Sequence, residues 1–275
     1  MTAVLALLSS VMWGGSDFLG GVLSRRRPAL VVVAWAEAIG LLICTVFALV
    51  LGSWHGPIGW LPWGLAAGLV GCGGLVCYYA ALASGTMGVV SPIASMGVIV
   101  PVLVGFLTGE APQSWQVAGI VIAIVGVVLV SGPELTGGAP LRPVALAAVS
   151  GLCFGVFFIA MDGGAHVNTL MTLWAMRAGV VTLFAVAALV RRTTGGITVA
   201  DLGLLAVVGS ADLLANLLFG IAATRGYVSV ASVLSSLYPV VTVLLGRLVL
   251  AERLRMIQAG GILVTLAGVA FISIG

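Results

Sequence analysis

Long apolar runs alternate with short polar or Gly/Pro-rich breaks along the whole chain. A helix that crosses the hydrocarbon core of a bilayer needs about 20 apolar residues, and each run approaches that length. The pattern therefore predicts ten transmembrane helices and no soluble domain. The predicted spans are Ala3–Val22, Ala29–Leu51, Leu61–Ala83, Gly88–Leu107, Trp115–Ser131, Pro143–Met161, Thr169–Val190, Leu202–Ala223, Val228–Val249 and Met256–Ile274.

Composition agrees with a chain that lies in lipid. Of 275 residues, 61% are hydrophobic and only 7% are charged, whereas soluble domains carry about 25% charged residues. Folded soluble proteins must cover their surface with polar groups. We therefore expect an all-α, multi-pass integral membrane protein of a cell inner membrane. The net charge of +3 is too thinly spread for a nucleic-acid partner.

The second half of the chain repeats features of the first. Trp13-Gly14 matches Phe154-Gly155, and Trp35-Ala36 matches Trp174-Ala175. Further along, four polar or glycine positions recur at a constant spacing of 142 residues. They are Glu110 and Glu252, Gln116 and Gln258, Gly119 and Gly261, and Gly126 and Gly268.

Each repeat holds five predicted spans, and an odd number makes the second copy enter the membrane in the opposite orientation. Inverted repeats are a recurrent plan of secondary transporters and enclose a site at their interface. We expect two inverted five-helix repeats around a central cavity, at residues 1–132 and 143–275. The Gly/Pro-rich segment within residues 133–142 is the expected linker.

The arginines predict which ends of the helices share a side of the membrane. With the spans above, nine arginines fall on one side, Arg225 falls on the other, and Arg177 lies inside a span. The positive-inside rule then places both termini outside the cytoplasm. The nine are Arg25, Arg26, Arg27, Arg142, Arg191, Arg192, Arg247, Arg253 and Arg255.

Three stretches resemble a known family. They are Trp13-Gly-Gly-Ser-Asp-Phe18; Ala83-Ser-Gly-Thr-Met-Gly-Val-Val-Ser-Pro92, running on to Gly109-Glu110 and Gly119; and Ser229-Val-Ala-Ser-Val-Leu-Ser-Ser-Leu-Tyr-Pro239, running on to Ala251-Glu-Arg253 and Gly260-Gly261. Their order and doubling resemble the drug/metabolite transporter superfamily, specifically its EamA-type members with two five-helix repeats. The resemblance implies export of amino acids, drugs or other small metabolites, driven by an ion gradient or by exchange. One departure matters: second spans of this family often carry a basic residue where this chain has Glu37.

Ionisable residues at membrane depth are the first candidates for a site, because each costs at least about 2.5 kcal/mol to insert. Asp17, Glu37, Arg177 and Asp212 lie within predicted spans. The four-residue spacing places Asp17 on the face of Trp13, and Asn216 on the face of Asp212. The carboxylates are candidates to bind a proton or a cationic group. Arg177 is a candidate to pair with a carboxylate or to hold a substrate carboxylate.

Aromatic and proline residues within the spans extend the candidate site. Aromatic faces stack on ligands or hold cations, although packing explains such residues equally well. Prolines within spans kink helices and are candidate gating hinges. The aromatic candidates are Trp13, Tyr78, Tyr79, Trp174 and Tyr238, and the hinge candidates are Pro92, Pro101 and Pro239.

The sequence lacks the groups that an intramembrane enzyme requires. His55 and His166 fall in predicted loops, and neither a Gly-x-Ser-x-Gly nor a His-x-x-Glu-His pattern is present. We expect no enzymatic activity, no metal and no cofactor. The leading hypothesis is a secondary transporter of a small molecule, with protons as a candidate coupling ion, acting as a monomer or weak homodimer. A passive channel or a non-transporting scaffold are the alternatives.

Overall fold

A computed structural model describes residues 1–135, 141–250 and 256–273, and these residues form helices and short connections without a strand. The all-helical prediction is therefore confirmed for this part of the chain. The helices are α1 (Thr2–Ser24), α2 (Ala29–Val50), α3 (Trp60–Ser84), α4 (Met87–Ser95), α5 (Ile99–Leu107), α6 (Ser114–Leu135), α7 (Leu141–Arg191), α8 (Val199–Ala223), α9 (Val228–Ser235), α10 (Tyr238–Leu250) and α11 (Met256–Ser273), with a 3₁₀ turn at Met96–Val98 between α4 and α5.

Seven helical stretches in the described residues are long and apolar enough to cross a membrane. The longest is α7, with 51 residues. At 1.5 Å per residue an unbroken helix of that size would be about 77 Å long, more than twice the hydrocarbon core. The backbone leaves the helical region at Asn168 (φ −164°, ψ 104°), so α7 consists of two helices, residues 141–167 and 169–191.

The first half of α7 is longer than its predicted span, which ended at Met161. The helix continues through Asp162 and His166, so the prediction that His166 lies in a loop is wrong. Gly163, within this extension, packs directly against the Trp63 ring on α3 and has no room for a side chain. Similarly, α6 runs through Leu135 into the predicted linker. Residues 136–140 of that linker lie outside the described residues.

Two of the predicted hinge prolines lie just after interruptions in their helices. Pro101 and Pro239 follow Gly97 and Ser235 by four residues, and they have no N–H to donate to those carbonyls. Gly97 lies in the 3₁₀ turn between α4 and α5, and Ser235 is the last residue of α9. Pro92 instead lies inside α4, which continues past it.

The loops at one end of the bundle contact one another. Arg27, after α1, forms an ion pair with Asp201 at the start of α8, with 2.8 Å between Nη2 and Oδ2. Gly85, after α3, packs against Pro143 at the start of α7. The connections α1–α2, α3–α4, α6–α7 and α7–α8 therefore share an end. The predicted arginine-rich side corresponds to this end for the described arginines, which are Arg25, Arg26, Arg27, Arg142, Arg191, Arg192 and Arg247, whereas Arg253 and Arg255 lie outside the described residues.

The opposite end gathers the N-terminus and the connections α5–α6 and α8–α9. The Thr2 hydroxyl donates a hydrogen bond to the carbonyl of Arg225, after α8 (3.1 Å). The Tyr227 hydroxyl reaches the carbonyl of Ala111, between α5 and α6 (3.4 Å). When the break of α7 at Asn168 is counted as a connection, the described connections alternate between the two ends, as a multi-pass bundle requires.

Glu110 connects the two halves at this second end. Its Oε1 accepts a hydrogen bond from the Val228 N–H (2.6 Å) and its Oε2 accepts one from the Ser229 N–H (3.2 Å). These amides open α9, where the first N–H groups of a helix have no partner within the helix. The carboxylate also opposes the positive end of the helix dipole. Glu110 therefore caps a helix that belongs to the other repeat.

Close helix contacts in one half recur in the other. Gly14 on α1 packs directly against the carbonyl of Tyr238, and Gly155 on α7 packs directly against the carbonyl of Gly97. Both members of the first contact are 141 positions from their counterparts in the second. Neither glycine has room for a side chain. The contact of α1 with α10 therefore corresponds to the contact of α7 with the α4–α5 turn.

The crossing of α6 and α11 shows the same correspondence. Gly126 packs against the backbone and hydroxyl of Thr265, and Gly268 packs against the backbone of Ala123. These partners are again related by 142 positions. The two helices cross at these glycines, because small residues allow the closest approach of membrane helices. The repeat seen in the sequence is thus reproduced in the packing.

We predict that Glu110→Ala lowers the stability of the folded protein. Loss of the carboxylate leaves the Val228 and Ser229 amides without their acceptors, at a cost of about 1–3 kcal/mol. Glu110→Gln keeps one acceptor oxygen and should lie between the variant and the unmodified protein. The check is the melting temperature of detergent-purified protein. Equal melting temperatures for all three would show that this cap does not stabilise the fold.

Candidate functional site

A cavity lies between the two halves of the bundle. Helices α1, α2, α3, α8 and α10 and both halves of α7 surround it. Its walls are formed by Trp13, Asp17, Glu37, Ala67, Gly68, Gly71, Cys72, Leu75, Phe154, Phe157, Phe158, Met176, Val180, Asp212, Asn216 and Tyr238. The sequence-predicted residues among them are Trp13, Asp17, Glu37, Asp212, Asn216 and Tyr238.

Arg177 lies outside the cavity wall and pairs with two of the cavity carboxylates. Its Nη2 lies 2.6 Å from Asp212 Oδ2, and its Nε lies 3.7 Å from Glu37 Oε2. Its side chain is only 1% exposed, and it does not belong to the cavity wall. Gly40 on α2 makes room for the guanidinium, because a Cβ there would meet Nε at 2.5 Å. The arginine therefore neutralises acidic groups and does not face the cavity itself.

Asp212 is the most connected residue of the site. Besides Arg177, its Oδ1 accepts a hydrogen bond from the Trp13 indole Nε1 (3.2 Å). Asn216, one turn later on α8, donates from Nδ2 to the Asp212 carbonyl (2.7 Å). Both pairs with four-residue spacing, Trp13 with Asp17 and Asp212 with Asn216, line the cavity as the spacing predicts. Polar contacts thus join α1, α2, α7 and α8.

Two further polar groups lie on the cavity wall without a partner. Asp17 is only 5% exposed, and no hydrogen bond or ion pair to its carboxylate occurs within residues 1–135, 141–250 and 256–273. Tyr238 is 4% exposed, and its hydroxyl has no hydrogen-bond partner in the described part of the chain. Tyr238 lies near enough to Asp17 for the two to interact electrostatically. The cavity therefore contains hydrogen-bonding capacity that the protein does not use.

Two carboxylate positions of the first repeat have apolar counterparts in the second. Trp13 and its counterpart Phe154, 141 positions later, both line the cavity. Asp17, however, corresponds to Phe158 at the same spacing. Glu37 corresponds to Met176 at the spacing that relates Trp35 to Trp174. Carboxylates thus stand where the other repeat carries an aromatic ring or a thioether. The second repeat adds Asp212 and Asn216, so the wall combines carboxylates with aromatic and other apolar side chains.

Phe154, Phe157 and Phe158 are cavity residues that the sequence predictions missed. The match of Trp13-Gly14 with Phe154-Gly155 contained the information needed to find the first of them. Because Phe158 follows Phe154 by four residues, it lies on the same helical face. Applying the repeat to the candidate residues would therefore have identified this aromatic wall.

Tyr78 and Tyr79 lie behind the cavity wall. The Tyr78 ring packs edge-on against Tyr238, with 6.0 Å between ring centroids, and its hydroxyl is 2.6 Å from Ser91 Oγ. Tyr79 packs against Gly20 on α1. Both are almost fully buried. They support the cavity residues and do not line the cavity.

Trp174 and the three hinge candidates also lie away from the cavity wall. The Trp174 ring packs edge-on against Trp54, with 4.8 Å between centroids. Its indole N–H donates to the Thr45 hydroxyl (3.0 Å). Trp174 therefore helps to close the bundle near the α2–α3 connection, and the packing alternative describes its position. Within the described residues no group of three His, Cys, Asp or Glu side chains is arranged to hold a metal ion.

A helical membrane protein with two corresponding halves and a charged cavity between them has the construction of a membrane transporter. The EamA-like transporter family matches the chain twice, over residues 1–132 and 141–274. The chain belongs to this family, within the drug/metabolite transporter superfamily, and the resemblance noted in the sequence is confirmed.

A solved crystal structure supports the fold. It superposes with a TM-score of 0.75 over 99% of this chain and 96% of its own, at 22% sequence identity. Comparison with curated proteins gives no match. Together, the family and the apolar helices define a multi-pass transporter of the drug/metabolite type.

We predict that Arg177→Met strongly destabilises the protein. Removing one partner of a buried ion pair leaves unpaired charge, at a cost of about 3–5 kcal/mol. The double variant Arg177→Met with Asp212→Asn removes the closer carboxylate as well and should recover part of the loss. Arg26→Met, at an exposed position in the α1–α2 connection, is the control. Melting temperatures in detergent provide the measurement. An Arg177 variant as stable as the control would show that the buried ion pairs do not stabilise the fold.

Proposed function

We propose that the protein is a secondary active transporter that exports a small metabolite, amino acid or drug-like solute across the inner membrane. The observation that carries the proposal is the cavity between the two halves, which is walled by Asp17, Glu37 and Asp212. Charged groups inside a membrane protein face a cavity or a partner and mark the path of a substrate or ion. A scaffold has no need of such groups at this position.

Ten membrane crossings are part of the proposal. The two halves of α7 count as two crossings, and the pairs α4–α5 and α9–α10 as one broken crossing each. The alternation of connections between the two ends, seen in the Arg27–Asp201 and Thr2–Arg225 contacts, supports this count. The arginine-rich end then lies in the cytoplasm, and both termini lie outside it.

Two inverted repeats, bounded near residues 132 and 143, would give alternating access. If the copies have opposite orientations, exchange of their two conformations turns an outward-open cavity into an inward-open one. The reciprocal contacts of Gly14 and Gly155 support such an exchange, because the same close contact exists in both halves. The interruptions before Pro101 and Pro239 lie on the helices that make these contacts.

Proton coupling or exchange would supply the energy for export. The Glu37 carboxylate lines the cavity and is held by Arg177 only at 3.7 Å, with Asp212 sharing the same guanidinium. Protonation of Glu37 would leave Arg177 wholly to Asp212. Substrate and proton could then compete for the same carboxylates, which is a simple way to couple two fluxes.

The test begins with ligands. Thermal-shift measurements on purified protein against amino acids, nucleobases and organic amines identify solutes that bind, because a ligand stabilises the state it binds. Each hit is then added to proteoliposomes that contain a trapped pH-sensitive dye. A transporter coupled to protons moves protons only when the solute is present. A passive channel moves the solute without coupling, and a scaffold moves neither.

We predict that Glu37→Gln abolishes pH-driven transport while the protein still folds. The amide keeps the size of the side chain but cannot exchange a proton. Solute-dependent proton flux into proteoliposomes is the measurement, and Asp162→Asn, a carboxylate outside the cavity wall, is the control. Unchanged flux in Glu37→Gln would remove Glu37 from the coupling site.

We also predict that Pro239→Ala slows transport without lowering the folded yield. The substitution restores an N–H that can donate to the Ser235 carbonyl and join α9 to α10 into a stiffer helix. Initial transport rate and purified yield are measured side by side. Pro57→Ala, in the exposed α2–α3 connection, is the matched control. Equal losses of rate and yield would indicate that Pro239 serves folding only.

A further inference from the structure

Charge on the cavity wall is of one sign. Three carboxylates, Asp17, Glu37 and Asp212, line it, and no Arg, Lys or His belongs to the wall among the described residues. Arg177 approaches from behind, and its side chain is 1% exposed. A substrate carboxylate in the cavity would therefore meet acidic side chains before it could reach a guanidinium.

The charge balance leaves room for one more positive group. Arg177 is shared between Glu37 and Asp212, so one guanidinium opposes two carboxylates. Asp17 adds a third carboxylate, which has no ion pair in the described part of the chain, and it lies near enough to Asp212 for the two to repel. Unpaired charge is costly in an apolar surrounding. A cation beside Asp17 would relieve this cost.

The hydroxyl of Tyr238 is a second hydrogen-bond acceptor on the cavity wall. It is buried, has no partner in the described residues, and lines the same cavity as Asp17, with which it interacts electrostatically. A hydroxyl oxygen accepts hydrogen bonds, as does a carboxylate. An ammonium group with N–H donors can use both acceptors at once, whereas a quaternary ammonium group has no N–H to donate.

The apolar side chains on the cavity wall favour an apolar body. Phe154, Phe157 and Phe158 come from the first half of α7, and Met176 and Val180 come from its second half. Burial of an apolar group against them contributes roughly 25 cal/mol per Å². Aromatic faces also attract a nearby cation. The carboxylates and the apolar side chains together suit a molecule with one charged end and one apolar end.

We propose that the cavity binds a protonated amine with an apolar or aromatic body, with Asp17 as its counter-ion and Tyr238 as a second acceptor. This substrate class rests on the proposed transport function. Zwitterionic amino acids and organic anions are disfavoured, because the described wall offers no positively charged group to receive a carboxylate. Asp17, more than Glu37 or Asp212, determines the selectivity, since Arg177 already pairs with the other two.

The test compares three probes that share a phenyl ring. They are 2-phenylethylammonium, the neutral 2-phenylethanol and the anion 3-phenylpropanoate. Equilibrium dialysis of radiolabelled 2-phenylethylamine against the full-length protein in detergent gives the affinity, and the other two compete. We expect saturable binding of the amine, competition by the alcohol that is weaker by about tenfold or more, and no competition by the anion. Propylammonium, which lacks the ring, should also compete weakly.

Variants assign the roles within the cavity. Asp17→Asn should weaken amine binding by about tenfold or more, whereas Asp17→Glu, which keeps the charge, should retain most of it. Asp162→Asn is the control, since it removes a carboxylate outside the cavity. Tyr238→Phe should weaken the amine more than the alcohol. If Asp17→Asn does not fold, Asp17→Glu and Tyr238→Phe still report on the site.

Equal competition by all three probes, or amine binding unchanged in Asp17→Asn, would overturn the proposal. Its failure can be told apart from failure of the transport function. Coupled flux of an anion or a neutral solute in proteoliposomes would keep the transporter and reject the amine site. Saturable, Asp17-dependent binding of the amine without any flux would keep the site and reject transport.

Discussion

One buried guanidinium organises the centre of this bundle. A charged side chain in the middle of a membrane costs at least about 2.5 kcal/mol to insert, and Arg177 is tolerated because Asp212 and Glu37 oppose it. Those partners come from α8 and α2, so the ion pair can form only when these helices pack around the second half of α7. Trp13 then joins α1 to Asp212. The same residues that oppose the charge of the arginine, Asp212 and Glu37, also line the cavity.

Small residues allow the helices to come close enough for these contacts. In lipid no hydrophobic effect drives helices together, so association depends on close packing and polar contacts. Gly40 admits the guanidinium, Gly14 and Gly155 admit a neighbouring backbone, and Gly126 and Gly268 bring α6 and α11 together. The cavity remains open where large side chains from the two halves face each other across the polar groups. Packing and function therefore depend on the same distribution of glycines.

Helices and candidate charges could be predicted from the sequence because both have strong physical causes. Apolar runs must match the bilayer thickness, and residues four positions apart share a helical face, which placed Asp17 with Trp13 correctly. The aromatic residues that line the cavity were harder to predict. An aromatic side chain is equally apolar whether its helical face points to the cavity, to a neighbouring helix or to lipid. Trp174 therefore lies against Trp54 and outside the cavity.

Polar residues at a helix end were also ambiguous. Asp162 and His166 indicate a loop by composition, yet the helix continues through them, and Gly163 and Gly164 between them pack closely against Trp63. The phenylalanine wall could have been found, because the repeat relates Phe154 to Trp13. The pairing of Arg177 with two carboxylates required the three-dimensional arrangement, since 35 positions separate it from Asp212.

The unequal linings have a consequence for the history of the two halves. A protein assembled from two identical first halves would lack Arg177 and Asp212, and one assembled from two second halves would lack Asp17 and Glu37. Neither dimer reproduces the pairing of Asp17 with Phe158 at corresponding positions. The halves kept a common framework while their linings diverged, so the fused chain can do what a symmetric dimer of either half cannot.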